Sequence, residues 1–173
     1  MKFFFALFFL LCTVYALFVG LSKDPREVPS ILINQKTPSF ESSVIPSKKS
    51  FDSMSLLTDE IKIVNFFASW CPPCKIEHPQ LMLLNQKEKV KIYGILKKDN
   101  HNNLEKFLRD LGNPYHAIID DPKGKTGINW GVYGLPETFI VDKKGKIRYK
   151  HIGPIMEREI PNITKIIDEL YSE

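Results

Sequence analysis

The sequence of 173 residues predicts an α/β fold, with a central mixed sheet flanked by helices and preceded by a transmembrane helix. Three observations predict it: apolar strand-like segments alternate with helical periodicity, the last two strand-like segments are joined by a short turn, and the chain begins with a long uncharged run. The 43% hydrophobic content excludes a mainly disordered chain. Lys and Arg outnumber Asp and Glu by only 24 to 20 and form no basic stripe, which argues against nucleic-acid binding.

The segment from Phe3 to Leu21 contains no charged residue and includes six phenylalanines. A helix of this length measures ~28 Å, close to the ~30 Å hydrocarbon thickness of a bilayer. A cleaved signal peptide is the alternative, but its apolar core is usually about 7–15 residues and ends at a small-residue site, which is missing here. Lys2 favours a cytoplasmic N-terminus. We therefore predict an uncleaved anchor over residues 1–22, a linker over 23–36 and a folded domain over 37–173 outside the cytoplasm.

Strand and helix signals alternate along the predicted domain. Residues 37–59 are rich in Ser and predict short strands and turns. Residues 61–68, IKIVNFFA, form an apolar run with β-branched and aromatic side chains, which is typical of a central strand buried on both faces. Further strands are predicted at about 90–96, 116–119, 138–141 and 146–151, and helices at about 72–87, 104–111 and 157–173.

Local signals place the ends of some of these elements. Asn102 or Asn103 is expected to cap the second helix of the domain, and Gly112 to end it. Residues 142–145, DKKG, predict a hairpin turn between the last two strands. Residues 124–126, GKT, are similar to the end of a phosphate-binding loop but lack its upstream glycine, so we expect a simple turn.

Cys71 and Cys74 lie where the predicted central strand passes into a helix. The unpaired N–H groups and partial positive charge of a helix start stabilise a thiolate, so Cys71 is expected to be the acidic nucleophile. Cys74, one turn further in, is expected to be buried and to resolve mixed disulfides. Half of a zinc site with His78 and a purely structural disulfide are the alternatives, but no second Cys pair exists and the two-residue loop makes a reducible ring. The sequence predicts a redox-active disulfide, with no metal and no separate cofactor.

Two further positions are candidate site residues. Pro136 stands directly before a predicted strand and is expected to adopt the cis form, which would expose the Leu135 backbone beside the cysteines to an extended peptide. Glu77 follows Cys74 by three residues. It is either a solvated residue on the helix face or a partly buried acid that takes the proton from Cys74. Trp70 either shields the disulfide or packs in the fold.

The segments WCPPCKIEHP, LGNPY and GVYGLPETFIVD resemble the membrane-anchored, thioredoxin-like thiol:disulfide reductases of bacterial cytochrome c maturation, the CcmG/DsbE type. The resemblance extends from about residue 28 to the C-terminus and implies a thioredoxin-like fold. It also implies a redox pair, a cis-proline and two nearby acidic residues, which are Cys71 and Cys74, Pro136, and Glu77 and Glu137. Partner docking is expected to involve Trp70, Leu135, Pro136 and Glu137.

The resemblance further implies a function and a location. The chain is expected to cross the bacterial inner membrane once, with its C-terminal domain in the periplasm. There it would reduce the haem-site cysteines of apocytochrome c, directly or through a partner thiol protein, and a membrane electron-transfer protein would re-reduce it. A broader reductase for another client, for example in oxidase assembly, and a copper-delivery module using the two cysteines and a His are the alternatives.

Overall fold

The computed structural model describes residues 2–21, 31–40, 43–45, 48–87 and 90–173. The helices are α1 (Lys2–Leu21), α2 (Pro72–Lys87), α3 (His101–Leu111), α4 (Lys125–Asn129) and α5 (Ile160–Ser172). The strands are β1 (Ser43–Val44), β2 (Lys62–Phe67), β3 (Lys91–Lys97), β4 (Ala117–Asp121), β5 (Glu137–Val141) and β6 (Ile147–Ile152). Short 3-10 helices lie at Met54–Leu56 and Glu157–Glu159.

Helix α1 coincides with the uncharged segment at the start of the chain. By the combined criterion of length and hydropathy, no helix among the described residues qualifies as a membrane span. The anchor over residues 1–22 stays a prediction, and most of the linker over 23–36 lies outside the described residues.

All six strands form one mixed sheet in the order β1-β4-β3-β2-β5-β6. Strands β2, β3 and β4 are parallel neighbours, whereas β5 runs antiparallel to β2 and β6 antiparallel to β5. The predicted mixed sheet is therefore confirmed. Every residue of β2 is buried, as its apolar sequence predicts for a central strand.

The two faces of the sheet are covered differently. Helices α2 and α3 connect parallel strands, and right-handed crossovers place them on the same face. Together with α5 they bury one apolar cluster, which includes Phe67, Leu81, Leu104 and Ile167. The opposite cluster is centred on Trp130 and is closed by residues of the N-terminal segment, such as Phe40 and Phe51. The face with α2 carries the cysteines.

Three local predictions need correction. The cap of α3 is Asn100, whose side chain accepts the Asn103 N–H at 2.8 Å, so this helix begins earlier than Asn102 or Asn103 would allow. Gly124 caps α4, which begins at Lys125, so residues 124–126 start a helix rather than form a simple turn, and the Asp121 carboxylate accepts backbone N–H groups of that helix. Residues 34–36 pair with the end of the β5–β6 hairpin, so the folded domain includes residues assigned to the linker.

Candidate active site

Cys71 and Cys74 form a disulfide at the start of α2, with their Cα atoms 5.3 Å apart. Cys71 directly precedes the helix and Cys74 lies in its first turn. The Cys74 backbone N–H donates to Cys71 Sγ at 3.2 Å. After reduction this donor and the partial positive charge of the helix start favour a thiolate on Cys71. The exposures of Cys71 and Cys74 are 3% and 1%, so in the oxidised form the two differ much less in accessibility than the sequence suggests.

A groove with a volume of ≈ 320 Å³ opens beside the disulfide. Its lining residues are Trp70, Cys71, Pro72, Pro73, Lys97, Lys98, Tyr133, Gly134 and Leu135. The Leu135–Pro136 peptide bond is cis, as predicted. The Trp70 indole N–H donates to the Lys98 carbonyl at 3.0 Å, which fixes a ring that remains 56% exposed. The groove thus has exposed aromatic surface beside the disulfide, and its use by an extended segment of a partner stays a prediction.

Glu77 is buried, with only 1% of its surface exposed. Its Oε1 accepts a hydrogen bond from Asn65 Nδ2 at 2.8 Å, and its Oε2 accepts one from the Ile155 backbone N–H at 3.1 Å. Burial raises the pKa of Glu77 to about 7, and the two hydrogen bonds oppose this rise. Glu77 is therefore a buried acid, one helical turn from Cys74, and not a solvated residue on the helix face. Its role as a proton acceptor stays a prediction.

Asn65 and Tyr115 extend the polar network behind Glu77. Asn65 lies within β2, where its Nδ2 also donates to Thr138 Oγ1 at 3.0 Å. The Tyr115 hydroxyl donates to Asn65 Oδ1 at 2.9 Å, and burial raises the pKa of this phenol. Neither residue is among the site residues predicted from the sequence, although Tyr115 is the last residue of the LGNPY segment. The one signal for Asn65 is its polar side chain inside an otherwise apolar strand segment.

Glu137 is fully buried and supports the groove from beneath. Its Oε1 accepts the backbone N–H groups of Tyr133 and Gly134 at 2.7 and 3.1 Å. Its Oε2 lies 2.9 Å from the Lys150 ammonium group, which also donates to the Gly131 carbonyl at 2.7 Å. The carboxylate does not reach the surface, so any contribution of Glu137 to docking passes through the loop that it holds.

His78, the further ligand considered for a metal site, packs against helix α3 and its C-terminal end. Its Nε2 lies 3.0 Å from the Gly112 carbonyl oxygen, and its ring makes an edge contact with Phe107. Among the residues that the structure describes, no group of three or more His, Cys, Asp or Glu side chains is arranged to hold a metal ion.

Comparisons with known proteins agree with this architecture. The family model described as Redoxin matches residues 33–167. The thiol:disulfide interchange protein HelX of Rhodobacter capsulatus is 39% identical over 170 residues, which cover 95% of this chain and 94% of that protein. A DsbE homolog of Paracoccus denitrificans, also described as a thiol:disulfide interchange protein, is 39% identical over 155 residues, or 86% of each chain.

A solved structure from Chlorobium tepidum, described as a thiol:disulfide interchange protein DsbE, has a similar fold. It superposes with a TM-score of 0.69 and 26% sequence identity, over 82% of this chain and 99% of that chain. The thioredoxin-like α/β arrangement of sheet and helices thus extends to an independently determined structure.

Proposed function

Because this chain belongs to the redoxin family and, within it, to the thiol:disulfide interchange proteins of the DsbE type, we propose that it reduces disulfides during cytochrome c maturation. Thiol:disulfide oxidoreductase activity follows from the family itself. The observation that carries the proposal is the Cys71–Cys74 disulfide at a helix start, beside an open groove and the cis-Pro136. The proposed client is the cysteine pair at the haem site of apocytochrome c, reached directly or through a partner thiol protein.

The first chemical step is attack by the Cys71 thiolate on the disulfide of the partner. A bond forms between Cys71 Sγ and one partner sulfur, and the partner's own S–S bond breaks. The second partner sulfur leaves as a thiolate and takes a proton from solvent. The Cys74 N–H, which points at Cys71 Sγ in the oxidised form, favours the attacking thiolate.

The second step is resolution of this mixed disulfide by Cys74. Its thiol gives its proton to Glu77, and the thiolate attacks Cys71 Sγ. The Cys71–Cys74 bond forms, and the partner's remaining sulfur leaves as a thiolate that takes a proton from solvent, while Glu77 releases its proton to solvent. The partner has gained two electrons and two protons, and the chain has lost two electrons and has given the protons of its two thiols to solvent. A membrane electron-transfer protein restores the dithiol for the next cycle.

The proposed location is the periplasmic face of the inner membrane, with residues 1–22 as the anchor. An alkaline phosphatase fused after Glu173 is expected to be active and to sediment with membranes, because its active form requires export. An active but soluble fusion would show that the segment is cleaved, and an inactive one would place the domain in the cytoplasm.

Deletion of the gene tests the function in cells. Holo-cytochrome c is expected to fall, and an added thiol reductant is expected to restore it because the missing electrons are then supplied chemically. Wild-type chain and Cys12→Ala, which removes a thiol outside the pair, should complement the deletion, whereas Cys71→Ala should not. Normal holo-cytochrome c in the deletion strain would contradict the proposal.

Trapping identifies the client. Cys74→Ala leaves Cys71 able to attack but unable to be released, so a mixed disulfide with the client should accumulate on non-reducing gels. Recovery of a disulfide partner outside cytochrome maturation would favour the broader reductase instead. If Cys71→Ala trapped the client while Cys74→Ala did not, the two roles would be reversed.

A further inference from the structure

We propose that Asn65 is a positioning residue for the resolution step: it holds the Glu77 carboxylate in the ionised form that accepts the Cys74 proton, and Tyr115 fixes the orientation of the Asn65 amide. The proposal rests on the function proposed above and deepens it. It assigns a role to a residue of the central strand that contacts neither cysteine in the described hydrogen bonds.

The position of Asn65 is unusual for an amide side chain. It lies in the middle of β2 with no exposed surface, and its strand neighbours Val64 and Phe66 are also fully buried. A buried amide is costly unless its polar atoms are hydrogen-bonded. An apolar residue would fill this position at no such cost, so the polar contacts made by Asn65 need an account.

Asn65 uses both ends of its amide. One N–H donates to Glu77 Oε1 at 2.8 Å and the other to Thr138 Oγ1 at 3.0 Å, while Oδ1 accepts from the Tyr115 hydroxyl at 2.9 Å. An ionised carboxylate is purely an acceptor, so an N–H group facing Glu77 stabilises its charged form. The donated Tyr115 proton stabilises Oδ1 where it lies and so opposes rotation of the amide by half a turn.

The other groups facing Glu77 supply no positive charge. The segment after β6 contributes the Ile155 backbone N–H, and the Tyr115 phenol, from the segment before β4, repels a Glu77 charge only when it is itself ionised. On α2, the nearest ionisable groups are Cys74 and the buried His78, whose pKa burial lowers. Among the described ion pairs none includes Glu77, so two neutral donors hold its charge, and Asn65 is the one whose donor belongs to a side chain.

Loss of the Asn65 donor should therefore shift the pH dependence of resolution. The midpoint of the resolution rate is expected to rise by roughly one to two pH units, since one hydrogen bond to a charged group is lost. Resolution near neutral pH becomes slower and recovers at higher pH. The first attack by Cys71 does not use Glu77 and should be nearly unchanged.

The experiment uses reduced protein in a Cys12→Ala background, which removes the exposed third thiol. With 5,5′-dithiobis(2-nitrobenzoate), the remaining cysteine pair gives two successive releases of a coloured thiolate. The first release reports attack by Cys71 and the second reports resolution by Cys74. Asn65→Ser is compared with Asn129→Ser, the same substitution at an exposed position of α4. Tyr115→Phe keeps the ring stacked on Phe67 but removes the hydroxyl, and it should raise the midpoint in the same direction by a smaller amount.

The outcomes separate the two proposals. If Asn65→Ser slows resolution equally at all pH values without moving the midpoint, Asn65 is only structural and the inference is wrong. If Asn65→Ser does not fold, an unchanged midpoint in Tyr115→Phe overturns it instead. If Glu77→Gln has the same resolution profile as the wild type, the role of Glu77 itself fails. If both proposals hold, Asn65→Ser should no longer shift the pH midpoint of resolution in a chain that also carries Glu77→Gln.

Discussion

Glu77 and Glu137 are two buried carboxylates beside the same disulfide, with exposures of 1% and 0%, yet their surroundings differ. Glu137 accepts two backbone N–H groups and pairs with the Lys150 ammonium, so its charge is matched by an opposite charge. Glu77 accepts hydrogen bonds from one amide and one backbone N–H, and burial raises its pKa to about 7. A buried carboxylate with a counter-ion is suited to hold structure, and one with only neutral donors is suited to exchange a proton.

Glu77→Gln should have the largest effect on the reaction. The variant keeps the shape of the side chain but removes the carboxylate that we propose as the proton acceptor, and general-base assistance is typically worth about 10²- to 10⁴-fold. Resolution of the mixed disulfide should slow within this range near neutral pH, while the attack by Cys71 changes little. Stopped-flow fluorescence, with Trp70 beside the disulfide as a reporter, measures both steps. Equal resolution rates in variant and wild type would show that Glu77, like Glu137, takes no part in proton transfer.

Lys150→Met should have the largest effect on stability. It leaves the Glu137 carboxylate buried without its counter-ion, and such a change typically costs about 3–5 kcal/mol. Urea unfolding of the oxidised protein measures the loss. Lys165→Met is the matched control, because Lys165 lies 3.7 Å from Glu169 on the exposed face of α5, and the loss there should stay below ~1 kcal/mol. Similar losses at both positions would show that the buried pair is not structural.

Glu77 should make the free energy of unfolding depend on pH. Because its pKa is raised from 4.5 to about 7 on folding, the folded protein binds this proton more tightly than the unfolded chain does. The resulting stabilisation is fully present below about pH 4.5 and is lost as the pH rises through about 7, a change of about 3 kcal/mol.

Comparison with Glu77→Gln isolates this contribution, since other titrating groups cancel in the difference. The wild type should lose stability relative to the variant between about pH 4 and about pH 8. A constant difference across that range would mean that the Glu77 proton is not held more tightly in the folded protein.

Tyr133→Leu should have the smallest effect. The Lys150 ammonium lies 4.6 Å from the centre of the exposed Tyr133 ring, a cation–π contact worth about 0.5–1 kcal/mol at such a site. The loss in urea unfolding should therefore be much smaller than for Lys150→Met. A loss as large as that of Lys150→Met would show that the Tyr133 ring, rather than Glu137, holds the Lys150 ammonium in place.

The sequence predicts the strands, most helices and the redox pair because these depend on local patterns. The run from Ile61 to Ala68 is apolar over a strand's length, and the cysteine spacing is itself local. The cap of α3 is harder to predict from the sequence. Asn100, Asn102 and Asn103 can all cap a helix, and only the backbone conformation selects Asn100 among them.

The polar partners of the site could not be predicted in the same way. Glu137 meets Lys150 only through the register of β5 and β6, in which Lys150 lies opposite Phe139. Glu77 meets Asn65 only because α2 packs over β2. A shift of one residue in strand pairing would turn Asn65 or Lys150 to the other face of the sheet, and the sequence pattern does not fix that register by itself.

One of the two bonds that hold Glu77 comes from a backbone atom, the N–H of Ile155, 78 residues further along the chain. A conventional mutational scan would therefore miss it. Exchanging Ile155 for other amino acids tests a buried apolar side chain, while nearly every replacement still carries the same amide. Only proline, or an ester in place of the peptide link, deletes the donor. Tolerance of side-chain exchange at this position is thus a measure of packing volume and carries no information about the acid that the main chain supports.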